Sequence, residues 1–587
     1  MASFGAWDYA VFILMLLISA SIGVYYRFTG GRQKTTQEYL LADRNMNIWP
    51  VAFSLMASFM SAITLLGVST ENYTFGTLFV IINLSYGLAT PIAAYLYLPV
   101  FFRLQATSAY EYLHRRYGGA TRLAASIAYT LQMVLYMGIV LYAPALALEA
   151  VTGLSKAGAI LTVGLVCTFY STVGGMKAVL ITDVFQSILM FGAIFSVIGV
   201  AWARFGLEGI WQRATDGGRI EFLNFDPDPT TRHTWWSLII GGGFTYLSLY
   251  GVNQTQVQRL LTVKDLKSSQ RALWLNWPIL SLLSLSTSLS GLAIYANYKD
   301  CDPLKEGRIS SSDQLMPIFV VDNFSHLPGL SGLFVAGIFS ASLSTVSAAV
   351  NSLAAVTMED YIKPLYKVIM KKPFPDVGGA LYSKLLALFY GILCVAVAFA
   401  AESLGGVLQA SLTIFGVVGG PLFAMFTLGM FTTRANQKGV LTGLVCGLAF
   451  SLWIGFGGPK PPPKTLPVST QGCPYNNGTH TYQSSVFRAA QPIDDSDYFY
   501  LYRLSYLWYS VLGFLVTFII GALASVIYEC AGLEPRPDYM HLDPNLFSPP
   551  FARRVRRKQA AMLTNGVAQL SDVEPVKNNK LIYDTHM

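Results

Sequence analysis

The chain has 587 residues, of which 53% are hydrophobic and only 12% charged, with a mean hydropathy of +0.47. A soluble chain carries about a quarter charged residues, so half of the expected charge is missing and most soluble fold classes are excluded. The net charge of +8 comes from basic residues scattered between apolar runs rather than gathered on one face, which excludes nucleic-acid binding.

Runs of about 20 apolar residues, enough to cross about 30 Å of hydrocarbon, occur thirteen times in chain order. They cover 7–27, 47–71, 77–102, 123–152, 158–174, 178–203, 235–256, 272–296, 330–358, 381–401, 405–431, 437–457 and 504–528. The first has no basic n-region and no small-residue cleavage site, so it reads as a retained helix. Thirteen spans put the termini on opposite sides. Of the 40 Lys and Arg residues, 28 fall on the side of the C-terminus, which predicts a cytoplasmic C-terminus and an extracellular N-terminus in a multi-pass protein. The sequons at Asn323 and Asn477, and Cys301 and Cys473, fall in the two outer loops 297–329 and 458–503. A disulfide between these cysteines is left open by the sequence. No CxxC or Cys/His spacing encodes a zinc site.

Polar clusters inside apolar runs mark places where backbone lines a cavity, because an unbroken membrane helix satisfies itself. The second run holds Ser54, Ser58, Ser61 and Thr64, a pattern that fits ligand binding and helix packing equally. The seventh carries Gly241, Gly242 and Gly243 ahead of Thr245, Tyr246, Tyr250, Asn253 and Gln254. At about 1 kcal/mol per glycine against alanine, the triplet predicts unwinding there; a close helix crossing is the alternative. In the ninth, Ala341, Ser344, Thr345 and Ala348 share one helix face. That face offers neutral oxygens of the kind that hold a monovalent cation without trapping it, small-residue packing again being the alternative. The eleventh has Ser411 and Thr413 before Gly416, Gly419, Gly420 and Pro421, which reads as a kink or hinge. Asp183, just inside the sixth run, is a gate or structural candidate, with Lys177 as the nearby base.

The second and seventh runs are both interrupted and lie five apart. This predicts an all-α, leucine-transporter-like fold of two inverted five-helix repeats, 47–203 and 235–431, around a midplane site. Residues 1–46 form an extra helix and loop, 204–234 an outer loop, 432–528 two further helices enclosing the loop 458–503, and 529–587 a polar, disordered cytoplasmic tail whose basic run 553–558 touches anionic lipid or serves simply as a topology determinant. The last three residues, Thr585, His586 and Met587, fit a PDZ-type carboxylate pocket. No filter loop, charged ring, HExxH or GxxxxGK[ST] appears, so channels, intramembrane enzymes and primary pumps give way to secondary transport.

At these same helices the chain resembles the sodium:solute symporter family. The resemblance is carried by Ser58-Phe-Met-Ser-Ala62, Tyr142-Ala-Pro-Ala145, Gly174-Gly-Met-Lys-Ala178 with Thr182-Asp-Val-Phe185, Tyr250-Gly-Val-Asn-Gln254, Leu343-Ser-Thr345, Ala354-Ala-Val-Thr-Met-Glu-Asp360 and Ser505-Tyr-Leu-Trp-Tyr509. It runs from about residue 5 to 530 and is strongest to the branch of multivitamin, monocarboxylate and iodide transporters, the multivitamin members above all. The resemblance implies a sodium site at the carbonyls of Ala57, Met60 and Ala341 and the hydroxyls of Ser344 and Thr345. It implies a substrate cavity lined by Phe59, Thr64, Tyr86, Tyr246, Tyr250, Ser411 and Leu412. It further implies no enzymatic activity, no cofactor beyond sodium as co-substrate, a plasma-membrane location, and a small organic anion such as biotin, pantothenate or a short monocarboxylate as cargo. Iodide-like transport and a sodium-permeable channel are the alternatives. The iodide carriers, as aligned, have Gln and Trp at the positions of Thr64 and Tyr246, which favours an organic anion.

Overall fold

Where water cannot satisfy the backbone, a chain must close its hydrogen bonds within itself, and this one does so almost entirely as helix. The computed structural model describes residues 4–28, 36–105, 107–375, 379–401, 406–473, 497–535 and 538–571. Among these residues there is no strand, only an isolated bridge between Met46 and Val263. Helix α1 (Ala6–Phe28) precedes α2 (Ile48–Phe59) and α3 (Ala62–Phe75), one apolar run bent by 60° at its break. Next come α4 (Thr77–Leu104), α5 (Gly119–Thr152), α6 (Lys156–Phe169) and α7 (Gly175–Asp216). The φ of +65° at Gly175 separates α6 from α7, a left-handed value that glycine adopts without strain. Then follow α8 (Ser237–Tyr250), α9 (Gln254–Leu260), α10 (Leu266–Tyr298), α11 (Leu330–Met370), α12 (Leu381–Ala400) and α13 (Val407–Phe431). Last are α14 (Gln437–Phe456), α15 (Trp508–Cys530) and α16 (Pro549–Ser571).

Ten of the described helices are long and apolar enough to span a membrane, or eleven when α2 and α3 count as one. The fifth and seventh expected spans are represented by the shorter apolar helices α6 and α8, so by this criterion the count falls short of thirteen. At the centre lies α11, packed against α1, α2, α5 and α7. A Cβ on Gly337 would stand 2.4 Å from the Ala193 methyl group and 2.6 Å from the Leu189 carbonyl. Part of the small-residue character of α11 therefore serves close packing against α7.

Four expectations change. The glycine triplet is not unwound: a π-turn over Ser237–Gly241 runs straight into helix as far as Tyr250. A Cβ on Gly241 would meet the Leu507 carbonyl at 2.4 Å, and one on Gly242 the Ser85 hydroxyl at 2.6 Å. These two glycines serve close crossings, and the chain breaks later, at Gly251 and Val252, before Asn253 caps α9 by accepting from the Thr255 N–H at 2.9 Å. The Gly416–Pro421 stretch likewise lies inside a continuous α13, where Gly420 makes room for the Ser510 carbonyl of α15. The base facing Asp183 is not Lys177, whose ammonium lies over the Tyr26 ring. The tail is not wholly disordered, since α16 packs Ala552 and Val555 into the bundle.

Cys301 and Cys473 form a disulfide joining the segment after α10 to the segment after α14. Asn323 ends a short helix, its amide donating to the Phe319 carbonyl at 2.8 Å. Asn477 and the three C-terminal residues lie outside the described residues.

Candidate functional site

The break between α2 and α3 is the centre of the site. Met60 caps α2 with ψ at 82°, and Ser61 caps α3 by accepting from the Ile63 N–H at 3.2 Å. The Ser61 N–H turns to the Phe59 carbonyl (3.0 Å) and the Thr64 N–H to the Ser61 carbonyl (2.9 Å). An unbroken helix would give those two amides to the carbonyls of Ala57 and Met60. The break thus redirects the usual partners of the two α2 carbonyls expected to hold an ion.

Across from it, α11 presents the Thr345 hydroxyl, 3.4 Å from the Ala57 carbonyl and 3.0 Å from the Ala341 carbonyl. Ala57, Ala341 and Thr345 are therefore gathered at one point, and all three are buried. A cavity of about 20 Å³, room for one water-sized body, lies beside them between Ser58, Thr255, Gln256 and Thr345. Among the described residues no hydrogen bond brings the Met60 carbonyl to this point. The Ser344 hydroxyl donates its proton to Asp183 at 2.6 Å, which leaves its oxygen able to face a cation.

That bond belongs to a buried charged group that pins four helices together. Asp183 on α7 also accepts from the Ser54 hydroxyl of α2 at 2.5 Å and faces Arg259 of α9 at 3.5 Å. Arg259 in turn donates to Ser54 at 2.8 Å and to the Thr255 carbonyl at 3.1 Å. Both charged side chains are wholly inaccessible. A buried pair of this kind holds only while both members are present, because either one alone is an uncompensated charge.

Four of the seven expected substrate contacts form an aromatic box. Phe59 meets Tyr86 at 6.0 Å and Tyr250 at 5.8 Å, while Tyr246 stacks on Tyr86 at 5.2 Å and on Tyr250 at 4.3 Å. The Tyr250 hydroxyl donates to the Leu55 carbonyl at 3.1 Å, and that of Tyr246 pairs with Thr90 at 3.0 Å. Thr64 and Ser411 sit on facing helices: a Cβ on Gly67 would touch the Leu408 side chain at 2.7 Å, and Thr64 and Ser411 lie one turn from that crossing. The Ser411 hydroxyl donates to the Leu408 carbonyl at 2.9 Å, and Leu412 is half-buried in the core. Among the described residues no hydrogen bond or ring contact joins these three to the box.

Toward the disulfide face lies a second charged group that sequence reading missed. Glu71 of α3 accepts both Arg232 contacts, at 2.7 and 3.1 Å, and lies 3.1 Å from the His233 Nε2. Arg232 also donates to Gln409 of α13 at 2.8 Å, and His233 pairs with the Tyr506 hydroxyl at 3.0 Å. Burial lowers the His233 pKa further than Glu71 restores it, so this ring is neutral at physiological pH. Burial works against the Arg232 charge too, but there the Glu71 carboxylate prevails and holds the guanidinium protonated. The available signal was Glu71 itself, an acid within an apolar run.

A model described as the sodium:solute symporter family matches residues 39–447. The chain is 56% identical to a Drosophila melanogaster protein named "Putative sodium-dependent multivitamin transporter", over 100% of this chain and 99% of that one. It is 44% identical to the Homo sapiens sodium-coupled monocarboxylate transporter 1, over 89% of this chain and 87% of that one. For the Homo sapiens sodium/iodide cotransporter the identity is 41%, over 89% and 84%. A solved Na+-coupled sialic acid symporter in a substrate-bound outward-open state is similar with a TM-score of 0.73 at 24% identity, covering 89% of this chain and 98% of that one. The expected leucine-transporter-like arrangement is thereby the fold observed.

Proposed function

Because the chain belongs to the sodium:solute symporter family, we propose that it carries a small organic anion, a vitamin such as biotin or pantothenate or a short monocarboxylate, across the plasma membrane with sodium ions. The observation that carries this reading is the meeting of carbonyls at a helix break with a facing hydroxyl, beside an aromatic box. In the proposed site the carbonyls of Ala57, Met60 and Ala341 and the hydroxyls of Ser344 and Thr345 hold sodium. Phe59, Thr64, Tyr86, Tyr246, Tyr250, Ser411 and Leu412 hold the anion. The box itself contains no basic side chain, so the ion supplies the positive charge, and cargo and sodium bind together.

With the C-terminus cytoplasmic and the N-terminus outside, the disulfide lies where cysteines oxidise, and Asn323 and Asn477 face the glycosylating side. The C-terminal Thr585, His586 and Met587 suit a PDZ-type partner. Each net positive charge moved inward contributes about 2.3 kcal/mol per 100 mV of inside-negative potential. Two sodium ions with one anion would therefore carry current. The test is uptake of labelled biotin, pantothenate, lactate and iodide in a heterologous cell, with sodium or with choline in its place. Sodium-dependent, saturable uptake of an organic anion is expected. Uptake of iodide alone, or flux indifferent to choline, overturns the reading.

A further inference from the structure

Helix α16 packs against the C-terminal end of α13, and its sequence is two-sided. Phe551, Ala552 and Val555 turn inward, with the Phe551 ring 5.6 Å from Phe431 at the end of α13, while Arg553, Arg554, Arg556 and Arg557 are exposed. The helix is fastened: Gln559 donates to the carbonyls of Tyr539 (2.9 Å) and Leu542 (2.8 Å), and the Ser548 N–H donates to the Met430 carbonyl at 3.1 Å.

Between α16 and the ends of α13 and α15 lies a cavity of about 320 Å³ whose walls include Arg434, Arg554, Thr433, Tyr539, Ala522 and Val526. Among the described residues neither Arg434 nor Arg554 has a carboxylate partner, and both are exposed. The Tyr539 hydroxyl, between Thr433 (3.1 Å) and Lys558 (3.3 Å), is held below the usual phenol range by those hydrogen bonds and by the nearby Lys558 and Arg554 charges. The cavity is thus strongly electropositive. Its other wall is apolar: Val526 ends a stripe of exposed residues on α15, Leu515, Ile519 and Leu523, at the spacing of one helix face. On a membrane-spanning helix that stripe faces acyl chains.

We infer that this cavity binds the headgroup of an anionic glycerophospholipid, with Arg434 and Arg554 on its phosphate and the acyl chains along the α15 stripe. Arginine suits phosphate because its planar fork donates two hydrogen bonds at once. A lipid, rather than a free phosphate compound, is the occupant because cations and an acyl-facing stripe meet in one cavity. The inference needs only that α15 spans a membrane, so it stands or falls independently of the cargo.

The test follows the unfolding temperature of the purified full-length protein in neutral detergent. Phosphatidylserine or phosphatidylinositol 4,5-bisphosphate is added, with phosphatidylcholine and soluble inositol trisphosphate as separate arms. A concentration-dependent rise with the anionic lipids is expected, and neither phosphatidylcholine nor inositol trisphosphate should reproduce it. Either Arg434→Gln or Arg554→Gln should weaken the apparent lipid affinity by about tenfold, the loss of one charge-assisted contact, and the double variant should lose the shift. Arg553→Gln with Arg557→Gln removes the same charge outside the cavity and should keep it, and Val526→Trp, which fills the cavity without touching charge, should lose it. An equal shift in the double variant, or a full shift from inositol trisphosphate alone, overturns the inference.

Discussion

Thr345 and Ser344 are neighbours with different duties. The Thr345 hydroxyl touches only backbone carbonyls, whereas that of Ser344 is bound to a buried carboxylate. Thr345→Ala should therefore raise the sodium concentration for half-maximal uptake about tenfold, for a ligand worth about 1.4 kcal/mol, and leave the unfolding temperature nearly unchanged. An unaltered sodium dependence would remove Thr345 from the ion site. Asp313 gives a pH signature. Buried against the start of α13, where it accepts from the Val407 N–H at 3.2 Å, its carboxyl is pushed up to about 6 by burial. Its folded pKa exceeds the unfolded one, so ionisation costs stability that is fully felt above pH 6 and vanishes below about pH 4. Asp313→Asn should thus stabilise the protein by about 3 kcal/mol at pH 7.5 and by only about a third as much at pH 4.5, measured by thermal unfolding at both values. A variant less stable at pH 7.5 would contradict this. The hydroxyls of α2 and α11 were legible in the sequence because polar groups in an apolar run are costly unless used. Arg259 was not, because it lies just past the end of a predicted span and passes for an ordinary topology charge.

Helix breaks were half legible. In the second run the hydroxyl cluster coincides with the Met60–Ser61 break, since Ser61 supplies the cap that starts α3. In the seventh run, propensity pointed to the glycine triplet, but tertiary contact overrode it: two of those glycines are needed where neighbouring chains press closest. This separates adjacent substitutions. Gly242→Ala would press on Ser85 and Ile82, at 2.6 and 2.8 Å, and should cost about 1–3 kcal/mol. Gly243→Ala enters open space and should be neutral or stabilise by up to about 1 kcal/mol, as alanine does in a helix. Unfolding temperatures of the two variants check this, and equal losses would mean that the triplet is not a packing device. At the tail, polarity and proline suggested disorder, yet an apolar strip at Phe551, Ala552 and Val555 suffices to dock α16.

Across the whole molecule two charged groups flank the candidate site, Glu71 with Arg232 toward the disulfide and Asp183 with Arg259 beside the residues expected to hold sodium. The first is the partly exposed one, and it ties α3 and α13 to the segment that leads into α8. Glu71→Gln keeps the shape and removes the charge, leaving Arg232 unpaired at a cost of about 3 kcal/mol to the closed form. In a Thr64→Cys background, labelling by a membrane-impermeant maleimide should then quicken at least tenfold; an unchanged rate would mean that this pair is no closure. Hydropathy made the fold class and its interrupted helices legible, but not the pairing of Cys301 with Cys473, since distance in the chain says nothing of distance in space. That covalent tie has a mechanical consequence. The segments beyond the outer ends of α10 and α14 are stapled, so they cannot part as the transporter opens. Any opening of the outer face is thereby left to contacts elsewhere, among them the bonds of Arg232 to Glu71 of α3 and Gln409 of α13, which water can replace.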